Sequence, residues 1–341
     1  MDLLPTPEQD EIVATVRAQL DREFDLHALA ERDGAASVVD ADLWRRCAEL
    51  GWFGIGLQES LGGVGYSLVE ESLLFAELGA HATPGPFLPT VLAARLTALV
   101  GATEMRDVIL SGERRVALAE PHGDVDATGG AKVSGTFRVA DHGGADLVLV
   151  MVGDTASLLH AGDLVAEPMA SLDLLVPTAV GTVSGVPAIC HMDDATALRL
   201  RATVLVASEL AGIATATAEQ STQYAKDREQ FGVPVGSFQA VKHRCADMAV
   251  RAEAATSLTR YAALAVLDGL PDASFHAYAA RSVAARSAVE NAQINVQNHG
   301  GIGFTWEHTA HRYVTRAQVR SRTIGTVRDS LSGLLAQNAS S

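Results

Sequence analysis

The segment DREQFGVPVGSFQ, residues 227–239, groups side chains that suit a flat, anionic ligand. Arg228 carries a planar fork matched to phosphate oxygens. Gln230 donates or accepts a hydrogen bond, Phe231 offers a flat face, and Gly232 lets a ligand approach the backbone. The same residues also suit a plain helix connection with a surface arginine and a core phenylalanine. A second segment, QNHGGIGFTWEH at residues 297–308, brings Gly300, Gly301 and Gly303 together, so that backbone N–H groups could meet a phosphate. Glycines there equally serve a helix C-cap and turn. No strand is expected before them, so the strand-to-helix dinucleotide fingerprint does not apply. His299, His308 and His311 raise the question of a metal. The HxxH spacing lacks a third ligand in register, and no metal site is expected.

These segments need a scaffold, and composition bounds it. The 341 residues give room for two or three packed units. With 48% apolar and 20% charged residues, the chain falls among globular proteins rather than disordered ones. Aromatic residues are only 5% and alanine is abundant, which suits closely packed helices. Acidic residues (41) outnumber Lys and Arg (26), and the net charge of −15 argues against a nucleic-acid partner. Cys47, Cys190 and Cys245 show no CxxC pair and no zinc spacing; they are expected as reduced, buried thiols of a cytoplasmic protein. The opening MDLLPTPEQDE lacks the basic-then-apolar order of a signal peptide. Every candidate run of about 20 apolar residues is broken by a charge, so no membrane span is expected.

Residues 1–112 read as a helical domain. Thr6 can cap a first helix with Pro7 at its first position, and Asp40 can cap another that Gly51 ends. A further helix is expected from Leu68 to Leu78. Residues 113–197 change texture: the short apolar runs 116–119, 147–152 and 180–183, separated by Gly, Asp and Pro, predict a small β-domain. Residues 198–341 return to helix. Phe238, Val241, Cys245, Met248, Ala252 and Ala255 recur at three- and four-residue steps and predict one buried stripe. Another helix is expected over 272–298, closed by Gly300 and Gly301.

The R-x-Q-F-G-x-P run leading to F-Q, with Q-x-x-G-G-x-G-F about 70 residues later, resembles the C-terminal helical domain of acyl-CoA dehydrogenases. WRRCAELGWFGIG and LQESLGG are similar to that family's N-terminal domain, and VALAEP to the first strand of its middle domain. The resemblance covers nearly the whole chain. It implies a mainly α fold with an inserted β-domain: an N-terminal helical domain, a middle β-barrel-like domain and a C-terminal four-helix bundle. It also implies FAD as cofactor, an acyl-CoA substrate and an electron-transfer flavoprotein as electron acceptor. In this family each flavin lies across a subunit interface. Carried over by position, Arg228, Gln230, Phe231, Gln297, Gly300 and Gly301 would contact the adenosine diphosphate half of a neighbouring subunit's FAD.

The reaction so implied removes an α-proton while a hydride leaves the β-carbon, and it needs a carboxylate base. The family sets its Glu either just before a Gly-Thr near the C-terminus or 26 residues before the Arg of R-x-Q-F. Those positions here hold Ile324 and Ala202, and neither side chain accepts a proton. Glu209 lies seven residues beyond Ala202, about 10 Å along a helix. It reads either as a displaced base or as a helix-surface or interface carboxylate; Asp247 and Glu307 are weaker candidates. In the middle domain, the family's T-E-P-x-x-G-S-D is reduced to Ala119-Glu120-Pro121 and Gly123-Asp124. Val139 and Ala140, in GTFRVAD, replace side chains that contact flavin in the family. Contacts given to a neighbour's FAD are thus retained, while the base and the contacts to the chain's own flavin are lost. The expectation is a subunit of a heterotetrameric dehydrogenase whose paralogous partner supplies the Glu, as in actinobacterial members of the family that act on steroid-derived CoA esters. A self-sufficient homotetramer using Glu209 and a non-enzymatic scaffold on the same fold are the two other readings.

Overall fold

The computed structural model describes residues 3–35, 37–126 and 131–338; the first two residues of the acidic opening segment lie outside them. Helices come first in the chain: α1 (Pro7–Glu23), α2 (Leu26–Leu29), α3 (Ala41–Glu49), α4 (Leu68–Ala80), α5 (Phe87–Leu99) and α6 (Thr103–Leu110). Strands follow: β1 (Val116–Asp126), β2 (Lys132–Ala140), β3 (Leu147–Val152), β4 (Thr155–His160), β5 (Val165–Met169), β6 (Thr178–Pro187) and β7 (Cys190–Met192). The 32-residue α7 (Thr196–Asp227) leads into a two-stranded hairpin, β8 (Glu229–Gln230) and β9 (Val233–Pro234). Four helices close the chain: α8 (Gln239–Leu267), α9 (Ala273–His299), α10 (Ala310–Arg320) and α11 (Val327–Asn338).

Contacts divide the chain into two compact units, each made of separated segments. The first unit combines Met1–His27, Leu68–Thr83 and Thr203–Ser341, and the second combines Ala28–Ser67 and Pro84–Ala202. In the second unit Asp40 caps α3 by accepting from the Leu43 N–H at 2.7 Å, which turns Leu43, Trp44 and Cys47 inward. Trp44 stacks against Phe53 and Phe87 at 4.4 and 5.0 Å. The seven-stranded sheet runs in the order β5-β6-β2-β1-β3-β4-β7, with only β1 and β3 parallel. Its core holds Phe137, Val139, Val150 and Leu159. The Gly123-Asp124 pair falls where the β1–β2 register slips, so these residues form an irregularity in the strand.

In the first unit, Thr6 and Gln9 exchange the reciprocal bonds of a capping box at the start of α1. α4 and α7 cross in near backbone contact: a Cβ added at Gly79 would meet the Glu209 carbonyl oxygen at 1.9 Å. Glycine is required there by space alone, and a larger residue would push the helices apart. The stripe predicted on α8 is buried only from Met248 onward, through Ala252 and Ala255. Phe238 is 41% exposed, and Val241 and Cys245 are half-buried. Burial begins where Met248 and Ala252 meet Ala214 and Ala218 of α7. The first turns of α8 lie beyond that packing, which also leaves Cys245 less covered than expected.

Candidate functional site

β8 and β9 pair Glu229 with Pro234 and Gln230 with Val233, so the Arg228-to-Pro234 stretch is a hairpin turning at Phe231-Gly232. Both turn residues have positive φ, 54° and 79°, the left-handed pattern of a two-residue hairpin turn. Such turns favour Asn or Gly at the first position, and a phenylalanine there is strained. Phe231 is nonetheless 92% exposed, with only an edge-on contact to Phe238 at 6.2 Å. It is therefore not the core phenylalanine of a plain helix connection. Arg228 is exposed at the root of the hairpin, and Gln230 donates its side-chain N–H to the Glu229 carbonyl at 2.8 Å.

The second turn lies at the same end of the α7–α9 pair. Tyr224, four residues before Arg228, stacks on His299, the last residue of α9, with ring centroids 4.2 Å apart. Its hydroxyl donates to the His299 carbonyl at 3.3 Å. One helical turn further in, Ser221 donates to Asn295 at 2.8 Å, and Asn295 donates to Gln220 at 2.9 Å. Asn291 donates to the carbonyls of Ala214 and Met248, tying α9 to both α7 and α8. Asn291 and Asn295 are fully buried, so these bonds fix the register of the helices. Gly300 then leaves the helix with φ 64°, its N–H donating to the Gln297 carbonyl, and Gln297, Gly300 and Gly301 are exposed. A Cβ added at Gly300 or Gly301 would meet nothing within 4 Å. Tyr224, Asn291, Asn295 and His299 thus position the two turns. Sequence reasoning passed over all but the histidine, because polar residues spaced along Ala-rich helices carry no signal of which helix they face.

This end of the bundle has an exposed guanidinium, exposed glycines and exposed rings. Phe304 (83%) and Trp306 (70%) add to Phe231 a set of uncovered aromatics. The donor set fits a phosphorylated dinucleotide: Arg228 for the phosphates, Gly300 and Gly301 for close backbone approach, and the Phe231 ring for a flat base. In the sheet, Val139 points into the core and is 1% exposed. The three histidines do not form a cage. His299 Nδ1 donates to the Asn295 carbonyl at 2.8 Å and its ring packs on that of His308 at 4.4 Å, while His311 packs on Trp306. No group of three or more potential metal ligands occurs among the described residues.

Ala202 is fully buried on α7. Ile324 sits in the turn after α10 with φ 56°, an unusual conformation for a β-branched residue. The buried Arg281 of α9 holds that turn, donating to the carbonyls of Arg320 (3.1 Å), Thr323 (3.0 Å) and Gly325 (3.3 Å). Glu209 is not a surface carboxylate: it is 2% exposed and accepts from Arg320 Nε at 2.7 Å. The pair joins α7 to α10, and its carboxylate is already engaged. Asp247 and Glu307 are exposed.

Two models of one family match this chain. The acyl-CoA dehydrogenase N-terminal domain covers residues 6–112 and the acyl-CoA dehydrogenase C-terminal domain covers residues 199–327. The chain belongs to the acyl-CoA dehydrogenase family and has its mainly helical fold with an inserted sheet. Among individual relatives, it is 29% identical to the acyl-CoA dehydrogenase IpdE2 of Mycolicibacterium smegmatis over 97% of this chain and 98% of the relative. It is 36% identical to the acyl-CoA dehydrogenase FadE34 of Mycobacterium tuberculosis over 82% of this chain, but spans only 40% of FadE34's length. The solved ChsE4-ChsE5 complex from Mycobacterium tuberculosis matches all of this chain with a TM-score of 0.89 and 26% identity. The expected fold class is that of these relatives.

Proposed function

We propose that this chain is the base-less subunit of a heteromeric, flavin-dependent acyl-CoA dehydrogenase, and that its two turns hold the adenosine diphosphate half of an FAD in a paralogous partner. The observation that carries the reading is a split within one chain. The turns at 228–231 and 297–301 are side by side and exposed, while Ala202 and Ile324 occupy the two base positions. The likeness to a complex of ChsE4 with ChsE5 supports a partner of the same family. Arg228 would meet the pyrophosphate, Gln230 and Gln297 polar edges, Phe231 a ring face, and Gly300 and Gly301 the close approach. Bound flavin supplies the two-electron acceptor for α,β-dehydrogenation of a CoA thioester, and the likeness to the solved Tcur3481-Tcur3483 steroid ACAD (28% identical, TM-score 0.85) supports a steroid-derived one; an electron-transfer flavoprotein is the onward acceptor. The α-proton goes to the partner's Glu, since no carboxylate of this chain occupies either base position. Purified alone, the chain is expected to retain little flavin and no dehydrogenase activity; co-expressed with a paralogue, the complex should hold about one flavin per pair of chains. Full flavin occupancy in the isolated chain would contradict this reading. The homotetramer reading needs Glu209 as a base, and its bond to Arg320 argues against it.

A further inference from the structure

We infer that the first unit holds a second ligand site, separate from the flavin turns, that takes an apolar molecule bearing hydroxyl groups. A cavity of about 610 Å³ is walled by α1, α4, α7 and α8. Neither turn contributes to it, and neither do Ala202 and Ile324. Its size lies in the range of small-molecule pockets, about 300–1,000 Å³. The floor is small and apolar, formed by Ala76, Ala211, Gly212, Ala218 and Ala252. Packing fixes Gly212 there, because a Cβ would meet the Ala76 carbonyl oxygen at 1.9 Å.

The hydroxyls of the wall decide the ligand chemistry. Ser208, Thr215 and Thr222 recur every seven residues along α7, so they line one stripe, with Ser72 of α4 and Thr259 of α8 beside them. Each of the five donates its proton to its own helix. Ser208 donates to Val204 (2.9 Å), Thr215 to Ala211 (3.0 Å), Thr222 to Ala218 (2.8 Å), Ser72 to Val69 (2.7 Å) and Thr259 to Ala255 (2.7 Å). A hydroxyl has one proton, so these five present only lone pairs to the cavity. Thr256 is the sixth hydroxyl of the lining. The lining charges cancel: Arg17, Lys226 and Arg260 against Glu77, Glu219 and Glu253, with Arg17 and Glu77 paired at 2.8 and 3.0 Å. No net field therefore selects an anion. A carboxylate or phosphate would set lone pair against lone pair, whereas a hydroxyl on an apolar body would donate into the stripe. The stripe thus disfavours an anionic group at its centre and selects a hydroxylated apolar compound.

Androstanediol and androstanedione share one skeleton and differ in presenting donors or only acceptors. Isothermal titration of the full chain, alone and as the co-expressed complex, should show the diol binding about tenfold more tightly than the dione. Ala249 lines the cavity from an exposed position on α8, so Ala249→Trp can fill the space without disturbing the core. It should abolish diol binding while leaving the flavin content of the complex unchanged, which separates this site from the flavin reading. Thr215→Val removes one acceptor at nearly constant volume and should weaken the diol several-fold and the dione not at all. Equal affinity for the two compounds, no binding of either, or diol binding that survives Ala249→Trp would overturn the inference. So would binding by the isolated chain that vanishes in the complex, which would assign the cleft to a subunit contact.

Discussion

Phe231 occupies a turn position that asparagine would fill with less strain, and it gains almost no packing in return, since its ring is 92% exposed. Strained residues of this kind cluster at ligand clamps and active sites, which fits the role proposed for Phe231. Phe231→Asn should therefore raise the thermal stability of the isolated chain, by about 1 kcal/mol, yet lower the flavin content of the complex; a chemical-denaturation curve and a flavin absorbance ratio separate the two effects. Glu209 shows the opposite balance. Its bond to Arg320 is buried on both sides, with side-chain exposures of 3% and 6%. Glu209→Gln leaves the arginine charge buried without its counter-charge and should destabilise the chain by about 3 kcal/mol. Turnover per folded complex should stay unchanged, and loss of turnover at full flavin content would restore Glu209 as a base. At this scale the sequence was informative about residue type and poor about environment. Arg228 and Phe231 could be picked out by chemistry, but whether Phe231 is core or exposed depends on the turn geometry. Glu209 could be picked out as a carboxylate, but its partner lies 111 residues away in α10.

α9 delivers the second turn, and its last residue links the two. His299 and His308 are both held below the ordinary imidazole value. Burial is the main cause for each; on His308 repulsion from the His299, His27 and His311 rings adds to it. The folded end of α9 therefore resists protonation that the unfolded chain accepts at about pH 6.5. Stability from these groups is complete above that value and is lost as pH falls below it toward the lower folded values. Protection factors over residues 295–311, that is, the base-catalysed intrinsic rate at each pH divided by the observed exchange rate, should fall as the pH is lowered from 7.5 to about 5.5, and His308→Gln should flatten that dependence. Helix ends were the most legible elements, because caps are local chemistry: Thr6, Asp40 and Gly51 set the ends they were expected to set. The α8 stripe was legible only in part. Periodicity reports that a face is apolar, not that another helix covers it, and Phe238 is exposed while Val241 is only half-buried.

Across the whole molecule, the order helix, sheet, helix could be read from the change in apolar spacing at about residues 113 and 197, and the family models match the two helical stretches. The spatial grouping could not be read in that way. α4 joins the C-terminal helices in one compact unit through the Gly79–Glu209 and Gly212–Ala76 contacts, while the helices around it in sequence join the sheet. Such long-range backbone approaches leave only isolated glycines in the sequence. No helix among the described residues is long and apolar enough to cross a membrane, consistent with the charge-broken apolar runs. The assembly carries the remaining claim: a nucleotide bound by one chain serves a reaction completed by another. Replacing Arg228 with Ala in this chain alone, with its paralogous partner unaltered, tests that most directly. Equilibrium dialysis of FAD should show affinity of the intact complex lowered about 10- to 100-fold, the loss of a charge-assisted contact. Unchanged flavin affinity in a complex of normal subunit composition would contradict the account.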